Sequence, residues 1–328
     1  MYLITRRTFM LAASAFGAVG LTAGLAFADL PPLAKKDTYK VGFAQVESNN
    51  PWRIAQTKSM QDEAAKLGHQ LVYTDAAGSA AKQVADVNSM IAQGVDLIFL
   101  APREEKPLIP AVMAAKKAGI PVILLDRSVD PSLAKAGEDY VTFIGSNFIE
   151  EGQRVAEWLV KNANGKSKII ELEGTTGSSP ANDRKKGFDD AINAAGGFTI
   201  VASQTGDFAR DKGRQVAEAL LQAHPDADVI YAHNDEMAMG AIAALEAAGK
   251  KPGTDIKIIT VDAVKDGMTA LAGGKINYIV ECNPLLGELA AGLVNDVLAG
   301  TDVDKRYYVE DQTFTQEQAE EALPDRLY

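Results

Sequence analysis

The chain has one cysteine, Cys282, in 328 residues, so no disulfide can form within it. The thiol reads as a small core hydrophobe. There are three histidines, and their positions, His69, His224 and His233, fit no metal spacing. Basic residues are outnumbered: 33 Lys and Arg against 44 Asp and Glu leave a formal charge of -11. That excludes the basic footprint a nucleic-acid partner needs and gives no reason to expect binding to anionic lipid. No GxGxxG fingerprint, GxSxG elbow or Asp-x-Asp/Asn-x-Asp/Asn-Gly calcium loop occurs. Gly165-Lys166-Ser167 ends like a phosphate loop, but Val160 stands where its first glycine is needed. These absences predict neither a cofactor nor a metal. After the N-terminal segment no run is long and apolar enough to span a bilayer.

What is present starts at the N-terminus. Thr5-Arg6-Arg7-Thr8-Phe9-Met10-Leu11 leads into an Ala/Gly/Leu/Val run that ends Ala26-Phe27-Ala28. A basic start, an apolar stretch and a small-x-small end predict a secretory signal peptide over residues 1–28, cleaved after Ala28. The twin arginine followed by x-Phe-Met is similar to a twin-arginine export signal, with a general secretory signal as the alternative. No cysteine follows the cleavage point, so a lipid anchor there has no acceptor. The mature chain is expected to be soluble, more acidic still, and periplasmic.

From Lys40 onward, short apolar runs alternate with helical patterns. Strands are expected at Lys40 to Val46, Gln70 to Tyr73, Leu97 to Leu100 and Pro121 to Leu125. Helices are expected at Trp52 to Leu67, Ala80 to Gln93 and Pro107 to Lys117, with Gly68, Gly94 and Gly119 as stops. Near-continuous apolar strands between helices predict a parallel sheet covered on both faces. The pattern then restarts. Helices are expected over 148–161, 182–194, 211–223 and 236–248, with strands at 168–172, 198–202, 229–231 and 257–261. A chain this long exceeds one compact core, so the expectation is α/β: two doubly wound parallel-sheet lobes.

In such sheets ligands sit beyond the carboxyl ends of the strands. The segments that follow the strands hold Asn50, Trp52 and Arg53; Ala101 and Arg103; Asp126 and Arg127; Asn182, Asp183 and Arg184; Phe208; Asn234; and Asp262. Carboxylates beside guanidinium groups serve neighbouring hydroxyls that both donate and accept. Aromatic faces take C–H surfaces. The set suits an uncharged polyol such as a sugar. Asn182 or Asp183 alternatively caps a helix.

Several runs together resemble the type I periplasmic sugar-binding proteins of ABC importers. They are Val41-Gly42-Phe43-Ala44-Gln45-Val46, Asn50-Pro51-Trp52-Arg53, Leu125-Asp126-Arg127, Asp183-Arg184-Lys185-Lys186-Gly187-Phe188, Ala232-His233-Asn234-Asp235 and Val280-Glu281. The likeness is greatest to the galactofuranose-binding members and extends over about residues 39–315. It implies three strands crossing between the lobes in a hinge, with residues 39–145 plus 282–311 in an N-terminal lobe and 146–281 plus 312–328 in a C-terminal lobe. By the same resemblance the ligand residues are Asn50, Trp52, Arg53, Arg103, Asp126, Arg127, Arg184, Phe208, Asn234, Asp262 and Glu281. Ribose-type members carry an aromatic where Arg53 stands and a glutamine where Glu281 stands. These swaps imply a furanose or aldose other than ribose.

The implied function is capture of a monosaccharide by hinge closure and delivery to an ABC permease by a monomeric binding protein, not catalysis. Three rivals share some of these features. A glycosidase reading of Asp126, Asp262 and Glu281 is opposed by the arginines, which keep carboxylates ionised. A DNA-binding regulator of the same architecture would need an N-terminal reading head in place of the signal segment. A sensor that presents ligand to a membrane receptor is not separable by sequence.

Overall fold

The computed structural model describes residues 35–298 and 303–328. The expected signal segment, 1–28, lies outside the described residues. The first half of the chain runs β1 (Lys40–Gln45), α1 (Pro51–Lys66), β2 (Gln70–Asp75), α2 (Ala80–Ala92), β3 (Leu97–Leu100), α3 (Ile109–Lys117), β4 (Val122–Leu125) and β5 (Thr142–Gly145). The second runs α4 (Phe148–Asn162), β6 (Ser167–Glu173), α5 (Ser179–Ala195), β7 (Phe198–Thr205), α6 (Arg210–Ala223), β8 (Val229–Ala232), α7 (Asp235–Ala247), β9 (Lys257–Asp262), α8 (Lys265–Ala272) and β10 (Tyr278–Glu281). It closes with α9 (Gly287–Leu298), β11 (Arg306–Tyr308), β12 (Thr313–Phe314) and α10 (Gln316–Ala322).

The strands form two six-stranded sheets, β11-β5-β4-β3-β1-β2 and β12-β10-β9-β8-β6-β7. All the pairings are parallel except β10 with β12. The first five strands of each sheet follow the same order, so the second sheet repeats the first. Central strands such as β3, β4 and β8 are buried at every residue, as expected of sheets with helices on both faces. This is the periplasmic binding protein type I fold.

The chain passes between the sheets three times. After β5 it enters α4, which packs on α5 and β10. After β10 it returns to α9 against α1, then to β11 beside β5. After β11 it crosses again to β12 beside β10. The repeat predicted from sequence stops one strand short in each half: β5 (TFIG) and β10 (YIVE) are short and, unlike the equally short β3, β4 and β8, not apolar throughout. β11 and β12 are shorter still, and strands of that length carry no periodic signal.

The helix starts set the local geometry of the cleft. Asn50 has extended backbone, accepts a hydrogen bond from the Arg53 amide at 2.9 Å and caps α1, with Pro51 in the first turn. Asn234 caps α7 in the same way, accepting from the Met237 amide at 3.0 Å. Ser178, not Asn182 or Asp183, is the residue at the start of α5, because that helix begins at Ser179, three residues earlier than expected.

Candidate ligand-binding site

A narrow cavity lies where the carboxyl ends of both sheets face each other. Asn50, Trp52, Arg53, Asp126 and Arg127 line it from the first sheet's side. Arg184, Phe208, Asn234 and Asp262 line it from the second. All nine are buried. Nine of the eleven residues expected at the site therefore share one wall-to-wall cavity.

The two others do not line it. The Glu281 carboxylate is turned away: Oε1 accepts from the Tyr328 hydroxyl at 2.7 Å and pairs with Arg326 at 2.6 Å, and Oε2 accepts from the Gln312 amide at 3.0 Å. A carboxylate at a strand end goes to the nearest buried cation, and here that is Arg326, not a ligand. Arg103 sits at the mouth. Its Nη2 reaches Asp207 of the opposite side at 3.2 Å and its Nη1 lies 3.9 Å from Glu47. It bridges the halves instead of facing the cavity. Ala101 is buried at the end of β3, outside the lining.

Three lining residues were not expected: Glu47, Pro180 and Cys282. Glu47 belongs to the strand-end segment after β1, Glu47 to Arg53, but is not among the eleven residues that the family resemblance implies. Pro180 opens α5 and Cys282 follows β10; a proline and a lone thiol carry no polar signal. The Cys282 carbonyl also accepts the Trp52 indole N–H at 2.6 Å, which fixes the ring.

The charged groups are paired within each half. Arg53 Nη2 lies 2.7 Å from Asp126 Oδ2, and Arg53 Nη1 donates to Gln56 Oε1 at 2.9 Å. Gln45 holds that Gln56 oxygen from behind. Arg127 donates through Nη1 to the Arg103 carbonyl at 3.0 Å, while its Nε has no hydrogen-bond partner. Burial, then the neighbouring Arg53, pulls the Arg127 pKa down to about 9, so it stays charged at neutral pH. Opposite, Arg184 donates from Nε to Glu151 at 2.6 Å and from Nη1 to the His233 carbonyl at 2.6 Å; its Nη2 lies 3.8 Å from Asp262. Burial holds both Glu151 and Asp262 above the usual carboxylate range, against the pull of Arg184. A buried ion pair of this kind fixes donors and acceptors in place at little net gain in stability.

The backbone is strained at the same places. Asp126 (φ 61°), Phe208 (φ 57°) and Asp262 (φ 125°) are non-glycine residues in or near the left-handed region. Such strain costs about 1–3 kcal/mol per residue and collects at binding sites. The Phe208 ring lies beneath two guanidinium groups, with Arg127 Cζ at 5.3 Å and Arg184 Cζ at 5.9 Å from its centre. Its position depends on Gly174: a Cβ there would fall 2.0 Å from Phe208 Cζ.

The halves touch around the cavity. Besides Arg103 with Asp207, the Glu105 amide donates to the Gly177 carbonyl at 2.9 Å and Asn182 Nδ2 to Glu105 at 2.8 Å. The Ser128 amide donates to Ser179 Oγ at 2.8 Å. A closed cleft between two doubly wound lobes, lined by strand ends from each, defines a two-lobed binding protein. The chain belongs to the periplasmic binding protein domain family, whose pattern matches residues 41–302. It is 44% identical to the galactofuranose-binding protein YtfQ of Escherichia coli (strain K12), over 74% of this chain and 77% of that one. A Mycobacterium smegmatis structure in complex with β-D-fucofuranose superposes with a TM-score of 0.83 at 49% identity, covering 88% of this chain and 94% of the other. The periplasmic binding protein of the arabinose ABC transporter from Shewanella sp. ANA-3, bound to α- and β-L-arabinofuranose, gives 0.84 at 39% identity, covering 88% and 95%. Among the described residues no helix is long and apolar enough to cross a membrane, and no cluster could hold a metal ion.

Proposed function

We propose that the chain captures a monosaccharide in furanose form, galactofuranose or a related aldofuranose, by hinge closure and delivers it to an ABC permease. The observation that carries this reading is the cavity itself. Its two halves each bring guanidinium groups paired with carboxylates, and each brings one aromatic ring, Trp52 or Phe208. Three arginines set among the carboxyl groups of Asp126, Asp262 and Glu47 suit an uncharged ligand rich in hydroxyls, which both donate and accept. The furanose ligands of the similar proteins, galactofuranose, β-D-fucofuranose and L-arabinofuranose, favour a furanose over a pyranose. Sugar binds one lobe, the other lobe closes and supplies its own donors and acceptors, and the permease reads the closed shape. The three passages of the chain between the sheets serve as the hinge. The lobes are residues 39–145 plus 282–311 and 146–281 plus 312–328. The protein acts as a monomer without a cofactor and without turnover, exported to the periplasm by a twin-arginine signal.

Titration calorimetry against galactose, arabinose, fucose and ribose tests the reading. Binding of one of the first three in preference to ribose is expected. Tight ribose binding with none of the others would overturn the furanose specificity. Mass spectrometry of ligand carried through purification identifies the sugar directly.

A further inference from the structure

Strands β9 and β10 end side by side at the cavity, with Asp262 and Glu281 in register. Each strand end puts one residue on the cavity wall, Asp262 from β9 and Cys282 just after β10. The backbone leaves β9 abruptly: Asp262 has φ 125° and Ala263 φ 64°. One backbone hydrogen bond joins them past the ladder, a long one from the Cys282 amide to the Asp262 carbonyl at 3.3 Å. A second tie comes from a distant segment. Arg326 donates from Nε to the Ala263 carbonyl at 2.7 Å and pairs through Nη2 with Glu281 at 2.6 Å. Tyr328 donates its hydroxyl to the same Glu281 oxygen at 2.7 Å. The Arg326 guanidinium is itself held over the rings of Tyr328 (4.2 Å) and Phe314 (5.4 Å). Its two contacts fall on the residue after Asp262 and the residue before Cys282.

We propose that Arg326, assisted by Tyr328, is a positioning residue of the ligand site: its guanidinium ties the ends of β9 and β10 together and so sets Asp262, Cys282 and Trp52 on the cavity wall. Trp52 enters because its indole N–H is bound to the Cys282 carbonyl. Neither Arg326 nor Tyr328 lines the cavity. The planar fork matters, since two acceptors on different strands need two donors at a fixed angle, which an ammonium group does not offer. The proposal rests on the cavity being the sugar site.

The test uses the chain as it stands, with Arg326→Ala, Tyr328→Phe and the control Leu327→Ala, whose side chain is exposed. Two readouts are taken at 25 °C, below the unfolding of each variant. One is affinity for galactose and arabinose by calorimetry. The other is the indole N–H spectrum of the sugar-free protein, in which Trp52 and Trp158 are the two tryptophans. Arg326→Ala is expected to weaken sugar binding about tenfold and to move the Trp52 signal while leaving that of Trp158. Tyr328→Phe should act in the same direction but less, and Leu327→Ala should behave as wild type. Native affinity and an unmoved Trp52 signal in Arg326→Ala would overturn the proposal, even with a lowered melting temperature, because a packing role alone shifts stability and not these. Should Arg326→Ala not fold, Tyr328→Phe decides by the same two readouts. Should the wild type bind neither sugar, the proposed function fails separately; the Trp52 signal then decides on Arg326 alone, a moved signal supporting the tie and an unmoved one refuting it.

Discussion

Gly174→Ala tests the cavity as a binding site through one methyl group. The new Cβ would lie 2.0 Å from Phe208 Cζ and 2.4 Å from Cε1 and Cε2. Ordinary contact begins near 3.4 Å, so the ring edge must retreat by about 1.4 Å. The backbone cannot follow, because Phe208 is held at φ 57° and its carbonyl accepts from Asn234 Nδ2 at 3.2 Å. The open side of the ring is the cavity. In the sugar-free protein the ring swings into that space at small cost, and the melting temperature should stay within about 3 °C of wild type. With sugar bound the space is taken. Overpacking of about 1–3 kcal/mol and a lost ring contact of about 0.5–1.5 kcal/mol then fall on the complex. Together they come to about 1.5–4.5 kcal/mol, or a dissociation constant raised about tenfold to about two-thousandfold. Calorimetry with the preferred sugar measures the affinity, and thermal unfolding without sugar measures the fold. Native affinity in Gly174→Ala would refute the placement of the ligand against Phe208.

Other outcomes follow from the same geometry. Asp126→Ala leaves Arg53 and Arg127 buried without their carboxylate and should weaken sugar binding about tenfold or more in calorimetry; native affinity would remove Asp126 from the site. Arg184→Ala strands the buried Glu151 and should lower stability to denaturant by about 3–5 kcal/mol, along with a loss of sugar binding; an unchanged unfolding midpoint would show that the pair is not buried. Arg103→Ala removes a contact across the mouth, so stopped-flow measurement should find faster sugar release and an affinity loss below about tenfold; a larger loss would put Arg103 on the ligand itself. Burial pushes the Asp311 carboxyl from 3.8 up to about 8. The folded state then holds a proton that the unfolded state has released, so this group costs stability as pH rises from about 4 to about 8. Asp311→Asn should make the melting temperature fall less between pH 5 and pH 8, and an unaltered slope would contradict the shift.

The sequence determined the class of fold because its signal is local. Strands such as β3 and β8 are apolar at every position, their helices end at glycines, and the alternation of the two is visible without tertiary contacts. It also located most of the candidate site, since residues that follow parallel strands converge at one end of a sheet whatever the loops do. Nine expected residues met in the cavity for that reason. The tertiary structure decided what depends on pairing between distant segments. Glu281 is a strand-end carboxylate like Asp126 and Asp262, and nothing near it in the chain tells them apart. Arg326, 45 positions later, takes its carboxylate away from the cavity. Arg103 is drawn to Asp207 on the facing lobe by the closed arrangement of the halves, which no local pattern encodes. Cys282 faces the cavity only because β10 ends beside β9. Hydrophobic periodicity is set by each segment's own neighbours, whereas the partner of a buried charge is set by the path of the whole chain.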